Sequence, residues 1–382
     1  MKFYQTVIIG GGPAGASLGF LLQKEGISNC IIDNQKFPRN KLCGGLLTEK
    51  TVSLLENTYE THHFPFEKIT STVDLFIGTQ KLSSVNAKSS FYLVERKEFD
   101  NFLIEQYKIK GGILYEDTQV QKINQEKRQL VLKNGEIINY CILVGADGAN
   151  SQVRKMLSPN YHPNALCLEA NYSSKFVNDN ICVYFATIRN GYGWCFPKNR
   201  HYTIGIGGKI KKNKNIKEAF IAFSENIGKT ISKNEIKGAL VPFGEYVKNP
   251  CKNNILLVGD AAGLVDPITG EGLYFAIRSS QIAFQSINNY IRNKVPLNRS
   301  YNRAIKEIHS IINDAKLFTK IFFNESTRDF FLTLVKGRTN IMKYFCDNIL
   351  ANYNISYMQF PFKYIYVRHK RKMQEKKLSR ED

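Results

Sequence analysis

The segment that most constrains the fold is a short strand, a glycine turn and an apolar helix close to the first residue. The β-branched run Thr6–Ile9 leads into Gly10-Gly11-Gly12-Pro13-Ala14-Gly15, and a helical pattern follows as far as Gln23. Gly10 permits a tight turn, Gly12 lets the backbone approach a pyrophosphate, and Gly15 allows close helix–strand packing. A helix N-terminus after such a turn offers free N–H groups to phosphates. The segment therefore predicts a dinucleotide-binding unit, with Pro13 and Ala14 at the phosphate end of the helix.

An acidic residue follows the next strand. Cys30-Ile31-Ile32 ends in Asp33, which lies 21 positions after Gly12. A carboxylate at this place can accept hydrogen bonds from an adenosine ribose. These features alone leave NAD and FAD equally open.

Two later motifs favour FAD. The strand Tyr140–Val144 precedes G-A-D-G-A-N-S-x-V-R, which contains Asp147 and Gly148. The strand Ile255–Val258 precedes G-D-A-A-G-x-x-D-P-x-x-G-E-G, which contains Asp260, Gly270 and Gly272. Asp260 is placed to reach the ribitol hydroxyls. A helix opened by the last two glycines, expected to run to about Tyr290, would stabilise negative charge on reduced flavin.

The second motif resembles that of the p-hydroxybenzoate hydroxylase-like flavoproteins, in which the Asp and its glycines pack at the FAD diphosphate. The segment Glu95-Arg96-x-x-Phe99-Asp100 resembles the one at which such proteins place an Arg near FAD. The resemblance implies that Asp147, Gly148 and Arg96 contact the cofactor. A solvated Arg96 at a helix start is the alternative.

Two further segments resemble the geranylgeranyl reductase family. They are Arg39-Asn40-Lys41-Leu42-Cys43-Gly44-Gly45, similar to R-x-K-x-C-G-G, and Tyr192-Gly193-Trp194-Cys195-Phe196-Pro197-Lys198, similar to Y-x-W-x-F-P-K. With the FAD motifs, the resemblance covers about residues 1–290. It implies a reductase of prenyl double bonds, with Arg39 and Cys43 beside the cofactor.

The chemistry of these segments agrees with that resemblance. Gly44 and Gly45 would let a loop run close to the flavin, so that Cys43 faces the reacting carbon or the flavin edge. Tyr192, Trp194 and Phe196 alternate along one strand and share a face, which suits an apolar prenyl chain. Sheet-core packing is the alternative for these three rings. Lys198 is expected at the surface.

The predicted fold is α/β: a discontinuous Rossmann-like FAD-binding domain, an antiparallel β-sheet substrate domain and a helical C-terminal region. The FAD-binding domain is assigned to residues 1–70, 90–158 and 250–295. The substrate domain takes 71–89 and 159–249, with a helix around Ile216–Ile227. Residues 296–382 form the helical region and a basic tail.

The net charge of +20 would attract nucleic acid, anionic lipid or acidic substrates. No nucleic-acid recognition motif accompanies it, so no nucleic-acid partner is expected. The aromatic-rich segment 360–367 precedes the basic run Arg368–Lys372. Such a pattern can place a protein on an anionic membrane surface. A basic, partly disordered tail is the alternative.

The remaining composition indicates a cytoplasmic protein. There is no secretory pattern at the start and no apolar run near 20 residues. Eight scattered cysteines suggest free thiols, and six histidines lack ligand spacing, so no metal site is expected.

Three functions stay open. The first is a flavin-dependent reductase of an apolar, lipid or lipid-linked substrate. The second is an FAD monooxygenase of an aromatic or polyketide-like substrate, and the third is a flavin-containing binding or redox-sensing protein without turnover. No nicotinamide-binding fold is visible, so electrons would come from transiently bound NAD(P)H or a ferredoxin-like donor.

Overall fold

The computed structural model describes residues 2–324, 338–353, 355–361 and 363. The strands in chain order are β1 (Lys2–Ile9), β2 (Asn29–Ile32), β3 (Leu46–Thr48), β4 (Lys68–Ile77), β5 (Gln80–Leu93), β6 (Ile113–Tyr115), β7 (Val120–Asn124), β8 (Gln129–Leu132), β9 (Ile137–Gly145), β10 (Ala165–Ser173), β11 (Ile181–Phe185), β12 (Gly191–Pro197), β13 (His201–Lys209), β14 (Lys237–Val241), β15 (Cys251–Lys252) and β16 (Ile255–Leu257). The α-helices are α1 (Pro13–Lys24), α2 (Glu49–Tyr59), α3 (Arg96–Ile109), α4 (Gln152–Leu157), α5 (Ile216–Asn226), α6 (Leu273–Asn293), α7 (Leu297–Ala304), α8 (Lys306–Phe322) and α9 (Thr339–Phe345).

The first sheet is the nucleotide-binding sheet. Its strand order is β15-β16-β9-β1-β2-β6, with β8 on β9 and β7 on β8. The five strands β16, β9, β1, β2 and β6 run parallel. Their apolar side chains are buried, as in the run Val7–Ile9, because helices cover parallel sheets on both faces. Helix α1, which begins at Pro13, packs between this sheet and α6.

The second sheet has the order β14-β10-β13-β12-β11-β4-β5-β3. It is antiparallel except for β11, which runs parallel to β4. The sheet takes in β3, all of β4 from Lys68 and all of β5 to Leu93, whereas the sequence assigns only 71–89 of this region to the substrate domain. The α/β fold, with a Rossmann-like domain, a largely antiparallel second domain and a helical C-terminal region, is confirmed.

The two faces of the second sheet are covered by different helices. Helix α5 packs through Phe220 and Phe223 on one face. On the other face, Trp194 and Phe196 form a cluster with residues that include Met342 of α9. The C-terminal region therefore returns to the sheet that carries the aromatic motif.

Some predicted features lie beyond the described part of the chain. The basic run Arg368–Lys372 and the rest of the tail from residue 364 are outside the described residues, as are residues 325–337. Among the described residues, no helix combines the length and apolar character needed to cross a membrane.

Candidate active site

The three glycine motifs meet at the carboxyl edge of the nucleotide-binding sheet. Gly10, with φ of +104°, follows β1, and a side chain there would overlap the Ala146 carbonyl of the second motif. A Cβ on Gly259 of the third motif would lie 3.0 Å from the Ala14 Cβ of the first. Motifs that are more than a hundred residues apart in sequence thus form one surface, because parallel strands present their carboxyl ends at the same edge.

Arg154 connects the second motif with the third. Its Nη1 donates to the carbonyl oxygens of Asp260 at 3.2 Å and Ala261 at 3.1 Å. Its guanidinium also lies 4.4 Å from the centre of the Tyr161 ring. The backbone position of Asp260 is therefore fixed by a side chain from another motif.

Asp33 closes the glycine turn from the end of β2. Its Oδ2 accepts the Gly11 N–H at 2.7 Å, and its Oδ1 accepts the Gln35 N–H at 3.0 Å. Each carboxylate oxygen keeps a further lone pair for a ribose hydroxyl. Arg39 lies beside it, 3.9 Å from Asp33 Oδ2 and 4.8 Å from the centre of the Phe37 ring.

The surface is open at Gly12 and Gly148, where the phosphates of a dinucleotide would lie. A Cβ on Gly12 would find only the Arg39 Nη2 atom nearby, at 3.5 Å. Gly148 has φ of +73° and nothing within 4 Å of its Cβ position. Asp147 Oδ2 accepts hydrogen bonds from the N–H groups of Gln152 and Val153 at the start of α4. Its Oδ1 is buried and has no partner within the described residues.

Arg96 is a buried ion-pair residue, which argues against the solvated alternative. It is 8% exposed and contacts Asp100 through two hydrogen bonds of 2.7 and 2.9 Å. Asp100 also lies 3.3 Å from Arg39 Nη1. Asp100 therefore contacts both arginines and is part of the candidate site. In the sequence, the only indication of this was its position in the Arg96 segment.

The third motif leads into the longest helix of the described chain. Gly270 has φ of +69°, Gly272 is the N-cap of α6, and no side chain caps this helix. A Cβ on Gly272 would lie 3.3 Å from the Asp260 carboxylate. The Glu271 carboxylate points elsewhere, to Lys50 Nζ at 2.8 Å and the Tyr353 hydroxyl at 3.0 Å. The N–H groups at the start of α6 are therefore left for an anionic group.

The Cys43 loop packs directly on the aromatic strand β12. A Cβ on Gly44 would lie 2.8 Å from the Phe196 ring and 3.3 Å from Trp194 Nε1. Gly45 has φ of +67°, and a Cβ there would overlap the Val94 carbonyl and lie 2.8 Å from Lys198 Nζ. Close packing against protein thus accounts for both glycines, independently of an approach to the flavin.

The three rings of β12 lie on one face, as their alternation predicts. Tyr192 and Trp194 have ring centres 5.9 Å apart, and Trp194 and Phe196 have centres 6.3 Å apart. The Tyr192 hydroxyl donates to the Thr269 carbonyl. A Cβ on Gly270 would be 3.1 Å from the same hydroxyl oxygen. The aromatic strand therefore contacts the third nucleotide motif, while Trp194 and Phe196 are each only 7% exposed.

The surface position expected for Lys198 is wrong. Lys198 is 1% exposed, and its Nζ donates to the Val94 carbonyl at 2.6 Å. Burial lowers the pKa of Lys198, and the nearby Glu95 raises it by less. The side chain turns back under the Cys43 loop because Gly45 leaves room for the amine.

Sequence reasoning also missed Glu169 on β10. This residue is 9% exposed, and its Oε1 accepts the Cys43 N–H at 3.2 Å. Burial raises the pKa of the Glu169 carboxyl to about 7, against smaller lowering effects of the Cys43 N–H and Lys198. The available signal was one carboxylate side chain within the otherwise apolar run Ala165–Ala170.

Comparison with known proteins identifies the family of this chain. A family described as FAD binding domain matches residues 4–206. An uncharacterized protein of Methanosarcina barkeri is 32% identical, over 80% of this chain and 81% of its own. A geranylgeranyl diphosphate reductase of Rhodobacter capsulatus is 24% identical, over 87% and 88%. The crystal structure of a geranylgeranyl bacteriochlorophyll reductase-like protein from Thermoplasma acidophilum matches with a TM-score of 0.78 and 20% identity, covering 96% of both chains.

The chain is thus an FAD-dependent oxidoreductase and belongs to the FAD-binding domain family. Its predicted resemblance to geranylgeranyl reductases, within the p-hydroxybenzoate hydroxylase-like flavoproteins, is confirmed. FAD as the cofactor is confirmed as well.

Proposed function

We propose that this protein reduces carbon–carbon double bonds of a prenyl lipid or a related apolar substrate. The observation that carries the proposal is the contact between the two reductase-like segments beside the nucleotide motifs. Gly44 packs on Phe196 and Trp194, and Tyr192 packs on Gly270. The name of the Rhodobacter capsulatus relative supports the same reaction class.

We assign the cofactor to the surface formed by the three motifs. The first turn would receive the pyrophosphate, Asp33 the adenosine ribose, and Asp260 the ribitol chain. The residues proposed to hold FAD are Gly10, Gly12, Pro13, Ala14, Gly15, Asp33, Arg39, Cys43, Arg96, Asp147, Gly148, Asp260, Gly270 and Gly272. Bound FAD would supply the hydride chemistry that the side chains lack.

The protein's main contribution would be positioning. An isolated double bond has no carbonyl that a hydrogen-bond donor could polarise. Holding such a substrate in a reactive orientation can lower the barrier by several kcal/mol. Tyr192, Trp194 and Phe196 offer it an apolar wall, and Cys43, Gly44 and Gly45 form the neighbouring side.

Several features of the proposal depend on partners. Electrons would come from NAD(P)H that binds transiently or from a ferredoxin-like protein. The basic residues 368–382 would hold a cytoplasmic protein at the anionic inner face of the membrane, where prenyl lipids lie. We also propose that the chain is organised in three domains: the nucleotide-binding part, the second sheet with α5, and the C-terminal helices.

The test is anaerobic single turnover. Protein with bound FAD is reduced chemically, mixed with prenyl lipids of different head groups, and followed by flavin absorbance and by mass spectrometry of the lipid. The proposal expects flavin oxidation at the rate at which the lipid gains two hydrogens. A saturated lipid of the same length is the matched control.

Other outcomes would select the other functions. Productive reaction with oxygen and an aromatic substrate, without reaction of prenyl lipids, would identify a monooxygenase. Retention of FAD with no turnover under either condition would identify a redox sensor or binding protein.

A further inference from the structure

Reduction of a double bond consumes a proton as well as a hydride. The hydride chemistry comes with bound FAD, but the proton needs a source in a chamber with apolar walls. This inference rests on the proposed reductase function. The group in question is the one that carries the proton before transfer to the substrate.

Glu169 has the geometry of such a group. Its Oε1 is held by the Cys43 N–H at 3.2 Å, so the carboxyl lies directly behind the loop that carries Cys43. Its Oε2 is buried and has no hydrogen-bond partner within the described residues. Trp194 Nε1, from the aromatic strand, is likewise buried and has no partner at full hydrogen-bond geometry in that part of the chain, although it is close enough to Glu169 to lower the pKa of the carboxyl, which burial raises. Glu169 therefore lies between the two reductase-like segments with one oxygen uncommitted.

The neighbouring β13 explains how Trp194 reaches this place. Gly205 is the register partner of both Glu169 and Trp194. A side chain at Gly205 would overlap the indole ring, and one at Gly207 would lie 3.5 Å from it. The indole thus lies across two glycines of β13, towards β10.

Burial favours the neutral acid at Glu169 more strongly than the Cys43 N–H and Lys198 favour the carboxylate. Burial is the largest influence on its carboxyl, and it raises the pKa to about 7. Lys198 favours the ionised form, Glu95 opposes it, and Trp194 favours it weakly. Further ionisable residues on the surrounding elements include Cys43, Cys167 and, as the register partner on β14, the exposed Lys237.

A line of ionisable groups leads from Glu169 towards solvent. Lys198 interacts electrostatically with both Glu169 and Glu95. Glu95 Oε1 lies 3.2 Å from His201 Nε2, whose side chain is 21% exposed. Burial lowers the pKa of Lys198, so its ammonium gives up a proton more readily than an exposed lysine.

We propose that Glu169, as a neutral carboxylic acid, is the proton donor for double-bond reduction. Its O–H bond breaks as a C–H bond forms at one carbon of the substrate, while the hydride goes to the other carbon. The Lys198 ammonium then returns a proton to the Glu169 carboxylate. Water restores the lysine proton.

The decisive variant is Glu169→Gln, because an amide oxygen can still accept the Cys43 N–H while no acidic proton remains. Glu105→Gln, on the exposed face of α3, is the matched control. Infrared spectra of the oxidised protein without substrate should show a protonated carboxyl band that disappears near pH 7. This band should be absent from Glu169→Gln and unchanged in Glu105→Gln.

Single-turnover rates with a prenyl lipid supply the second measurement. Below pH 7 the wild-type protein should react about 100-fold faster than Glu169→Gln, the lower end for a general acid. The wild-type rate should fall about tenfold per pH unit above the carboxyl pKa, and the variant rate should stay flat. The variant should retain wild-type FAD content.

The inference is overturned if the infrared band is missing from the wild-type protein. It is also overturned if Glu169→Gln has the wild-type rate and pH profile. A wild-type protein that reduces no prenyl lipid would instead refute the proposed function. That failure is recognisable because the infrared titration needs no substrate.

Discussion

The burial of Glu169 has a consequence for stability that Glu169→Gln tests without any turnover. The carboxyl has a pKa of 4.5 as its ordinary value and about 7 in the folded chain, because burial disfavours the charged form. The folded state therefore binds the proton more tightly than the unfolded state. The resulting stability is fully present below pH 4.5 and is lost as the pH rises to about 7.

The size of this stability loss follows from the pKa difference of Glu169 between the unfolded and folded states. Each pKa unit corresponds to about 1.4 kcal/mol, so the loss approaches about 3 kcal/mol between mildly acidic and mildly alkaline pH. A glutamine cannot ionise and avoids this loss. The free energy of unfolding of Glu169→Gln, relative to wild type, should therefore rise by about 3 kcal/mol across that window.

Urea denaturation at several pH values measures the difference, with far-ultraviolet circular dichroism as the probe of unfolding. The chain has one tryptophan, Trp194, which shares with Glu169 the register partner Gly205 on the intervening strand β13. Its fluorescence in the native state should therefore follow the same titration in wild type and not in the variant. Stability curves for the two proteins that run parallel from pH 5 to pH 8 would refute the reasoning.

Four further predictions concern other parts of the molecule. Gly12→Val should give protein without flavin absorbance, because the new side chain would occupy the pyrophosphate path. Lys50→Met should destabilise the fold by about 3 kcal/mol in urea denaturation, since it leaves the buried Glu271 carboxylate with hydroxyl partners but without its cation. Arg292→Met, at an exposed pair, should cost under about 1 kcal/mol. Trp194→Phe should keep FAD but slow single turnover at least tenfold, about 1.4 kcal/mol. Removing residues 368–382 should weaken binding to acidic vesicles by about 1 kcal/mol for each charge near the surface, with flavin content unchanged.

Each of these has an outcome that would contradict it. Full flavin content in Gly12→Val would mean that the first turn does not face the pyrophosphate. Equal stabilities of the Lys50 and Arg292 variants would mean that the buried Lys50–Glu271 ion pair does not stabilise the fold more than an exposed pair does. Normal turnover in Trp194→Phe would make that ring a packing residue alone, and unchanged vesicle binding would leave the tail without a membrane role.

The nucleotide-binding half could be predicted because its motifs are local. Each one is a strand followed by a turn of small residues, so a few consecutive positions fix both the backbone and the place on the sheet. Asp33 ends its strand as the spacing requires, and α6 begins at the predicted glycines and extends to Asn293, three residues beyond the expected end.

The polar interior of the second sheet could not be predicted in the same way. Lys198 looks like a surface residue because lysines are rarely buried, and only the long-range packing of Gly45 against Val94 makes room for its amine. Glu169 acquires its surroundings from β12, β13 and the Cys43 loop, which are distant in sequence. Burial of a charge depends on tertiary contacts that no local pattern encodes.

The contact between Gly259 and Ala14 has a consequence for biosynthesis. During translation, the first turn and β9 emerge long before β16 and α6, which complete the nucleotide surface. Until β16 and α6 have left the ribosome, α1 lacks its main packing partner, and the end of β9 at Leu143–Gly145 lacks the neighbouring strand β16. The nascent chain therefore carries an incomplete, aggregation-prone nucleotide-binding layer while strands β10 to β14 of the second sheet are synthesised. FAD bound as proposed would engage all three motifs only after the third has been synthesised, so cofactor loading would report complete synthesis of the site.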